Sequence, residues 1–147
     1  MTDFISFTGM PPLPVAEFAF PGPLRDQLVA AILDGTKTST TTTLIEYEIE
    51  NEGLPVIGQQ EVVIDSDGKG VAVIETTAVR HARLADVDLQ HVIDEGEGDT
   101  TVAQWRAGHE EFWHSAEMRN AMGDPDFTVN ENSMLVLQRF KLVSRLP

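Results

Sequence analysis

The chain has 147 residues, ten Lys and Arg against 24 Asp and Glu for a net charge of −14, and no cysteine. That length fits one domain, and 41% hydrophobic residues supply a core without staples. The missing cysteines exclude disulfides, thiolate nucleophiles, Cys-based zinc sites and iron–sulfur clusters. The acidity argues against a sequence-independent coat on RNA or DNA, whose affinity comes from neutralised phosphates.

The first 22 residues, with Pro11, Pro12, Pro14 and Pro21, read as an irregular N-terminal segment, from which Phe4, Phe18 and Phe20 are expected to dock on the body. They hold no basic n-region or continuous apolar stretch. Nothing in the chain approaches the ~20 apolar residues of a membrane span. The expectation is a soluble, cytoplasmic protein with no membrane partner, whose domain spans 23–147.

Pro23 opens the first predicted helix, a position that suits proline. Leu24, Leu28 and Ile32 recur at helical spacing with Ala31 beside them, and Gly35 closes the helix. The run Thr36-Lys37-Thr38-Ser39-Thr40-Thr41-Thr42-Thr43 is β-branched and predicts a strand, continuing extended through Leu44 to Glu50. Gln60 to Ile64 and Val71 to Val79 predict two strands of a hairpin around the turn Asp65-Ser66-Asp67-Gly68. Asp86 or Asp88 caps a short helix carrying Leu89, Val92 and Ile93. After the acidic loop Glu95-Gly96-Glu97-Gly98-Asp99, a helix is predicted from Thr101 to Glu117 with Thr100 as its cap. Ser133 to Val143 is a final strand with apolar residues on both faces, as in a central strand. The order predicts an α+β domain in which one small sheet curls into a barrel.

Three features bear on chemistry. At Gly35-Thr36-Lys37-Thr38-Ser39-Thr40 a helix ends and a strand begins, with a lysine at the junction. It is either a solvated lysine before a β-forming run, or a lysine at a sheet rim that binds phosphate or serves as a base once desolvated. In the acidic loop, two glycines between three carboxylates permit unusual backbone angles, so one carboxylate can turn inward toward Lys37. The alternative is a plain acidic lead-in to the next helix. The stripe Trp105, His109, Phe112 and Trp113 is either core or a platform for a base, and packing is the expected role of Trp105 and His109. No metal or cofactor is expected. The histidines 81, 91, 109 and 114 show no zinc spacing with a third ligand, and no phosphate-cradling glycine motif is present.

Four segments together resemble one family. They are Leu28 to Thr40, Leu54-Pro55-Val56-Ile57-Gly58, Glu95 to Thr100 with Trp105, Arg106 and His109, and Val136-Leu137-Gln138-Arg139-Phe140. In this order they look like the ASCH family, in its longer bacterial branch, from about Phe18 to Val143. The resemblance implies a PUA-like fold, a small β-barrel of about five to six mixed or antiparallel strands flanked by helices. The family's Gly-x-Lys-x-x-Thr segment is met by Gly35, Lys37 and Thr40. Thr42 stands where many members carry arginine. The resemblance also implies a nucleoside or RNA ligand. One small bacterial type hydrolyses the amide of N4-acetylcytidine with the motif lysine, the motif threonine and a glutamate before the second helix. Residue by residue, these match Lys37, Thr40 and Glu97. Another relative is described as a ribonuclease, and others as RNA binders without cleavage. Gly35, Ser39, Glu95, Asp99 and Arg139 are the expected neighbours in the cleft.

Overall fold

A computed structural model describes the backbone of residues 4–7 and 10–147 and the side chains from residue 12 onward. The elements are β1 (Phe4–Phe7), β2 (Met10–Ala16), α1 (Pro23–Asp34), β3 (Ser39–Thr43), α2 (Leu44–Ile49), β4 (Gln60–Ile64), β5 (Gly70–Arg83), a 3-10 turn, α3 (Leu89–Asp94), α4 (Val102–Trp113), α5 (Ala116–Met122) and β6 (Met134–Arg145). The strands lie in the order β1-β2-β4-β5-β6-β3. Of their pairings, β2 with β4 is parallel and the rest are antiparallel. The architecture is α+β, as expected. The expected barrel is an open mixed sheet: β1 and β3 are its edges, and no ladder joins them among the described residues. No described helix is long and apolar enough to cross a membrane.

α1 follows its sequence signals. Pro23 sits in its first turn, and Gly35 ends it in the left-handed region at φ 88°. Leu28, Ala31 and Ile32 are buried, whereas Leu24 is exposed at the helix start. Several expectations differ from the structure. The N-terminal segment, expected to be irregular, carries β1 and β2; prolines 11, 12 and 14 precede Val15 and Ala16, the residues of β2 that pair with β4, so they interrupt no ladder on that side. Phe18 is buried and packs on Phe140, and Phe20 packs on Phe112. The Phe4 side chain lies outside the described residues.

Leu44 to Ile49, expected to be extended, is α2. Thr43 and Glu46 form a capping box there, with the Thr43 N–H and hydroxyl donating to Glu46 Oε2 at 2.9 and 2.6 Å. The helix expected over 101–117 breaks at His114. Ser115 then caps α5 by accepting from the Met118 N–H. Thr101, one residue later than expected, caps α4, and Asp88 caps α3 as one of the two expected candidates. β5 runs four residues past Val79 because β6 pairs with it from Ala72↔Arg145 to Arg83↔Met134.

Each face of β6 has its own core. Leu135 and Leu137 join Trp105, Trp113 and Met118 from the helices α4 and α5. Phe140 joins Phe18, Leu28, Ile32 and Ile74 beside α1. This two-sided burial is what the strand's sequence predicted.

The acidic loop after α3 docks on the connection between α1 and β3. The Thr38 N–H donates to the Asp94 carbonyl at 2.7 Å. Gly96 has φ 66°, and a Cβ there would stand 2.5 Å from the Thr36 carbonyl oxygen and 2.8 Å from Lys37 Cα. Only glycine permits this approach. Left-handed strain costs roughly 1–2 kcal/mol, and overpacking adds about 1–3 kcal/mol. Gly96→Ala is therefore expected to lower the unfolding free energy by about 2–5 kcal/mol. Gly98, at φ 89° with open space around it, carries the strain alone, so Gly98→Ala is expected to cost about 1–2 kcal/mol. Equilibrium urea denaturation of the two variants checks this; equal losses would contradict the tight docking.

Candidate functional site

The docked loop delivers one carboxylate to the interior. Glu95 is 2% exposed and ends α3. Its Oε1 lies 3.5 Å from Lys37 Nζ, which is equally buried. Lys37 also donates to the Ser39 carbonyl at 2.8 Å and to the Glu95 carbonyl at 3.2 Å. The ammonium thus makes two hydrogen bonds and one ion pair. The Phe18 ring, with its centroid 5.8 Å from Nζ, closes another side.

Glu95 Oε2 collects a second set of donors. Trp105 Nε1 donates to it, and so does the Thr41 hydroxyl at 3.0 Å. His91 Nε2 lies 2.7 Å from the Thr41 oxygen. Since the Thr41 hydroxyl spends its proton on Glu95, His91 Nε2 is the donor in that contact. His91 and His109 each place Nε2 3.5 Å from Glu95 Oε2. Burial alone would raise the Glu95 carboxyl; hydrogen bonds from the two histidines and the Lys37 charge overcome it and hold the group well below its ordinary value.

Glu97 is placed differently. Its side chain is half-buried, and its Oε2 is enclosed with no hydrogen-bond partner. Burial raises its carboxyl, with the Lys37 charge acting in the opposite direction. His109 Nε2 stands 3.8 Å from Oε2. Burial would lower the His109 imidazole, but its hydrogen bond with Glu95 and the charges of Glu95 and Glu97 hold it above its ordinary value.

These groups line one end of a cleft of about 630 Å³. Its walls come from both cores, with Phe18 and Leu28 on one side and Phe112 and Trp113 on the other. Away from Lys37 the lining is acidic, with Glu17, Glu46, Glu50 and Glu61. Burial pushes the Glu61 carboxyl up and the Tyr47 phenol up to about 12. The cations of the lining are already committed. Lys37 pairs with Glu95, and Arg25 pairs with Glu17 and donates to the Phe18 and Ala19 carbonyls.

Lys37, Thr40, Glu95, Glu97 and Asp99 are all among the residues that line this cleft. The structure leaves out three expected neighbours. Gly35 only closes α1. Ser39 is fully buried and donates its hydroxyl to the His91 carbonyl. Arg139 faces away and pairs with Asp94 at the surface. The direct partner of Lys37 is Glu95, two residues before the glutamate singled out by the resemblance. Sequence reasoning missed Thr41 and His91, and it expected packing from Trp105 and His109, with a base platform as the alternative. Trp105 does pack, yet its indole N–H serves Glu95. The available signal was the i, i+4 spacing of Trp105 and His109 just after the acidic loop.

Glu95, Glu97 and His109 each offer one ligand atom, all within 4.8 Å of one another. This set is a poor fit to a metal ion. Glu95 Oε2 is already occupied by Trp105 and Thr41, and the Lys37 ammonium stands beside the other oxygen.

Comparison with known proteins adds to this geometry. A family model described as the ASCH domain matches residues 17–144. A protein of Enterococcus faecalis V583 superposes with TM-score 0.72 at 26% identity, covering 83% of this chain and 70% of that one. An ASCH domain from Lactobacillus crispatus JV V101 gives TM-score 0.71 at 28% identity, covering 86% and 78%. An ASCH protein of Zymomonas mobilis, at 9% identity and TM-score 0.51 over 90% and 73%, is similar in fold alone. No curated protein matches the chain at a significant level.

Removing one partner from a buried ion pair costs about 3–5 kcal/mol, so Glu95→Gln is expected to destabilise the protein by about that much at neutral pH. The Glu95 carboxyl titrates lower when folded than unfolded. Its contribution is therefore complete above the unfolded value, about 4.3, and is lost as pH falls through the folded value. Acidification should thus cost the native protein more stability than it costs Glu95→Gln. Urea titrations at neutral and acid pH check this; equal acid losses in both proteins would contradict it.

Proposed function

Because the chain belongs to the ASCH domain family, we propose that its cleft binds a nucleobase-bearing ligand and hydrolyses the amide of an N4-acylated cytidine. Thr40 is the nucleophile, Glu97 the proton carrier and Lys37 the fixed cation. The observation that carries the reading is the Glu97 carboxyl. It holds a buried oxygen with no partner at the wall of a cleft. An enclosed acceptor without a donor costs free energy until a ligand supplies one, and the amide N–H of an acylated cytosine is such a donor.

The charges support a ligand without phosphate. With Lys37 and Arg25 already paired, the cleft offers a phosphodiester no free Lys or Arg among its described lining residues, while Glu46, Glu50 and Glu61 repel it. This disfavours a ribonuclease and a module that grips an RNA backbone.

The chemistry follows from what each group is free to do. Lys37 donates to two carbonyls and pairs with Glu95, so it serves as a charge rather than as a base. Glu97, whose carboxyl burial raises, suits a group that takes and returns a proton. Glu97 accepts the Thr40 proton as the hydroxyl oxygen attacks the acyl carbon. Negative charge develops on the carbonyl oxygen, and the Lys37 field favours it. Collapse breaks the C–N bond, and Glu97 returns the proton to the departing cytidine nitrogen. A water then attacks the acyl-threonine, giving its proton to Glu97, and the carboxylic acid leaves as Thr40 regains its hydrogen.

Purified protein incubated with N4-acetylcytidine is expected to release cytidine and acetate, read by chromatography. Glu97→Gln and Thr40→Val should each lower kcat/KM by about 10²–10⁴-fold, with folding intact by circular dichroism. Saturable binding without any release by the native protein would leave a reader of modified bases; release that survives both substitutions would remove the mechanism.

A further inference from the structure

We propose that His109 is a positioning residue for Glu97, an imidazolium bridging Glu95 and Glu97 that holds the Glu97 carboxyl at the cleft wall. The inference deepens the hydrolytic reading above and rests on it for its catalytic consequence. Its electrostatic core stands on geometry alone.

His109 lies one helical turn after Trp105 on α4 and stacks on the indole, with ring centroids 4.2 Å apart and planes 26° apart. Trp113, one turn further on, meets it edge-on at 5.4 Å. The ring is therefore held in one orientation. Nδ1 lies 2.9 Å from the Trp105 carbonyl oxygen. A carbonyl only accepts, so Nδ1 carries a hydrogen. That leaves Nε2 pointing between two carboxylates, 3.5 Å from Glu95 Oε2 and 3.8 Å from Glu97 Oε2.

A bare lone pair at Nε2 would face two oxygens with nothing between them. A proton there replaces repulsion with attraction on both sides. Glu95 Oε2 has other donors besides it, since Trp105 and Thr41 donate to the same oxygen. Glu97 depends on it, because its Oε2 has no hydrogen bond. At 3.8 Å the His109–Glu97 contact is a charge attraction rather than a hydrogen bond, of the kind that tightens when a ligand fills a site.

The other charged and titratable groups facing this pair come from every neighbouring element. They are Lys37 at the start of β3, His91 on α3, and Glu95 and Asp99 on the acidic loop. α5 contributes only Met118, Ala121 and Met122 to this cleft. The direction of the His109 shift agrees with a charged ring. A divalent cation would compete for the same gap, but it would have to displace the Trp105 and Thr41 donors from Glu95, which a proton does not.

The test uses the free full-length protein first. Nitrogen NMR of ¹⁵N-histidine-labelled protein should show both His109 nitrogens protonated at neutral pH. Glu97→Gln should lower the His109 titration midpoint by about one pH unit. A neutral His109 whose midpoint ignores Glu97→Gln, or stoichiometric uptake of Zn²⁺ that is lost in His109→Gln, would overturn the proposal. These readings need no substrate, so failed hydrolysis leaves them interpretable. With turnover of N4-acetylcytidine, His109→Gln should move the acid limb of the kcat/KM profile to higher pH by about one unit, since removing the positive charge makes Glu97 easier to protonate. A uniform loss of rate with the limb unmoved would make His109 merely structural and overturn the positioning role.

Discussion

A buried carboxylate holds the candidate site together. Glu95 is enclosed by Lys37, Thr41, Trp105 and two histidines, drawn from β3, α3 and α4 and the connections between them. An isolated buried charge would be costly enough to neutralise itself. Here the hydrogen bonds from His109 and His91 and the Lys37 charge outweigh burial, so the ionised form is the favoured one. The same contacts fasten the helices α3 and α4 to the start of β3. Structural and chemical roles are thus joined at one group, and neither can be changed without the other.

That arrangement divides the acidic loop into groups of different character. Glu95 is locked by its donors and has no proton to trade near neutral pH. Glu97, two residues on, lacks hydrogen-bond donors at its inner oxygen and is raised by burial. Gly96 between them makes the division possible. Its left-handed backbone lets the loop press on Thr36 and Lys37, where a side chain would collide. One carboxylate then enters the core while the next stops at the cleft wall. Pairs of like groups pushed apart in proton affinity are a common basis for acid–base chemistry.

The lining of the cleft is acidic on balance. Lys37 and Arg25 in it are paired, and an acidic wall of this kind repels phosphate. The acidity of the whole chain, −14, therefore extends into the lining of the cleft.

The sequence by itself determined the elements whose signals are local. Pro23 and Gly35 bound α1, the Asp65 turn makes the β4–β5 hairpin, and the doubly apolar run of β6 marks a central strand. It also singled out the lysine junction and the glycine-spaced acidic loop, and the four segments in order carried the ASCH resemblance. Where a local signal was overlooked, as with Thr43 and Glu46 capping α2, the strand propensity of neighbouring threonines masked it. Tertiary structure alone decided which carboxylate meets Lys37, which threonine hydroxyl turns to Glu95, and that Ser39 and Arg139 stay out of the cleft. It also decided that the sheet stays open and that the N-terminal segment becomes strand. The reason is physical. Capping, turn formation and amphipathic spacing act over a few residues and are written in the chain, whereas the pairing of a buried charge depends on groups some 58 positions apart, brought together only when the core closes.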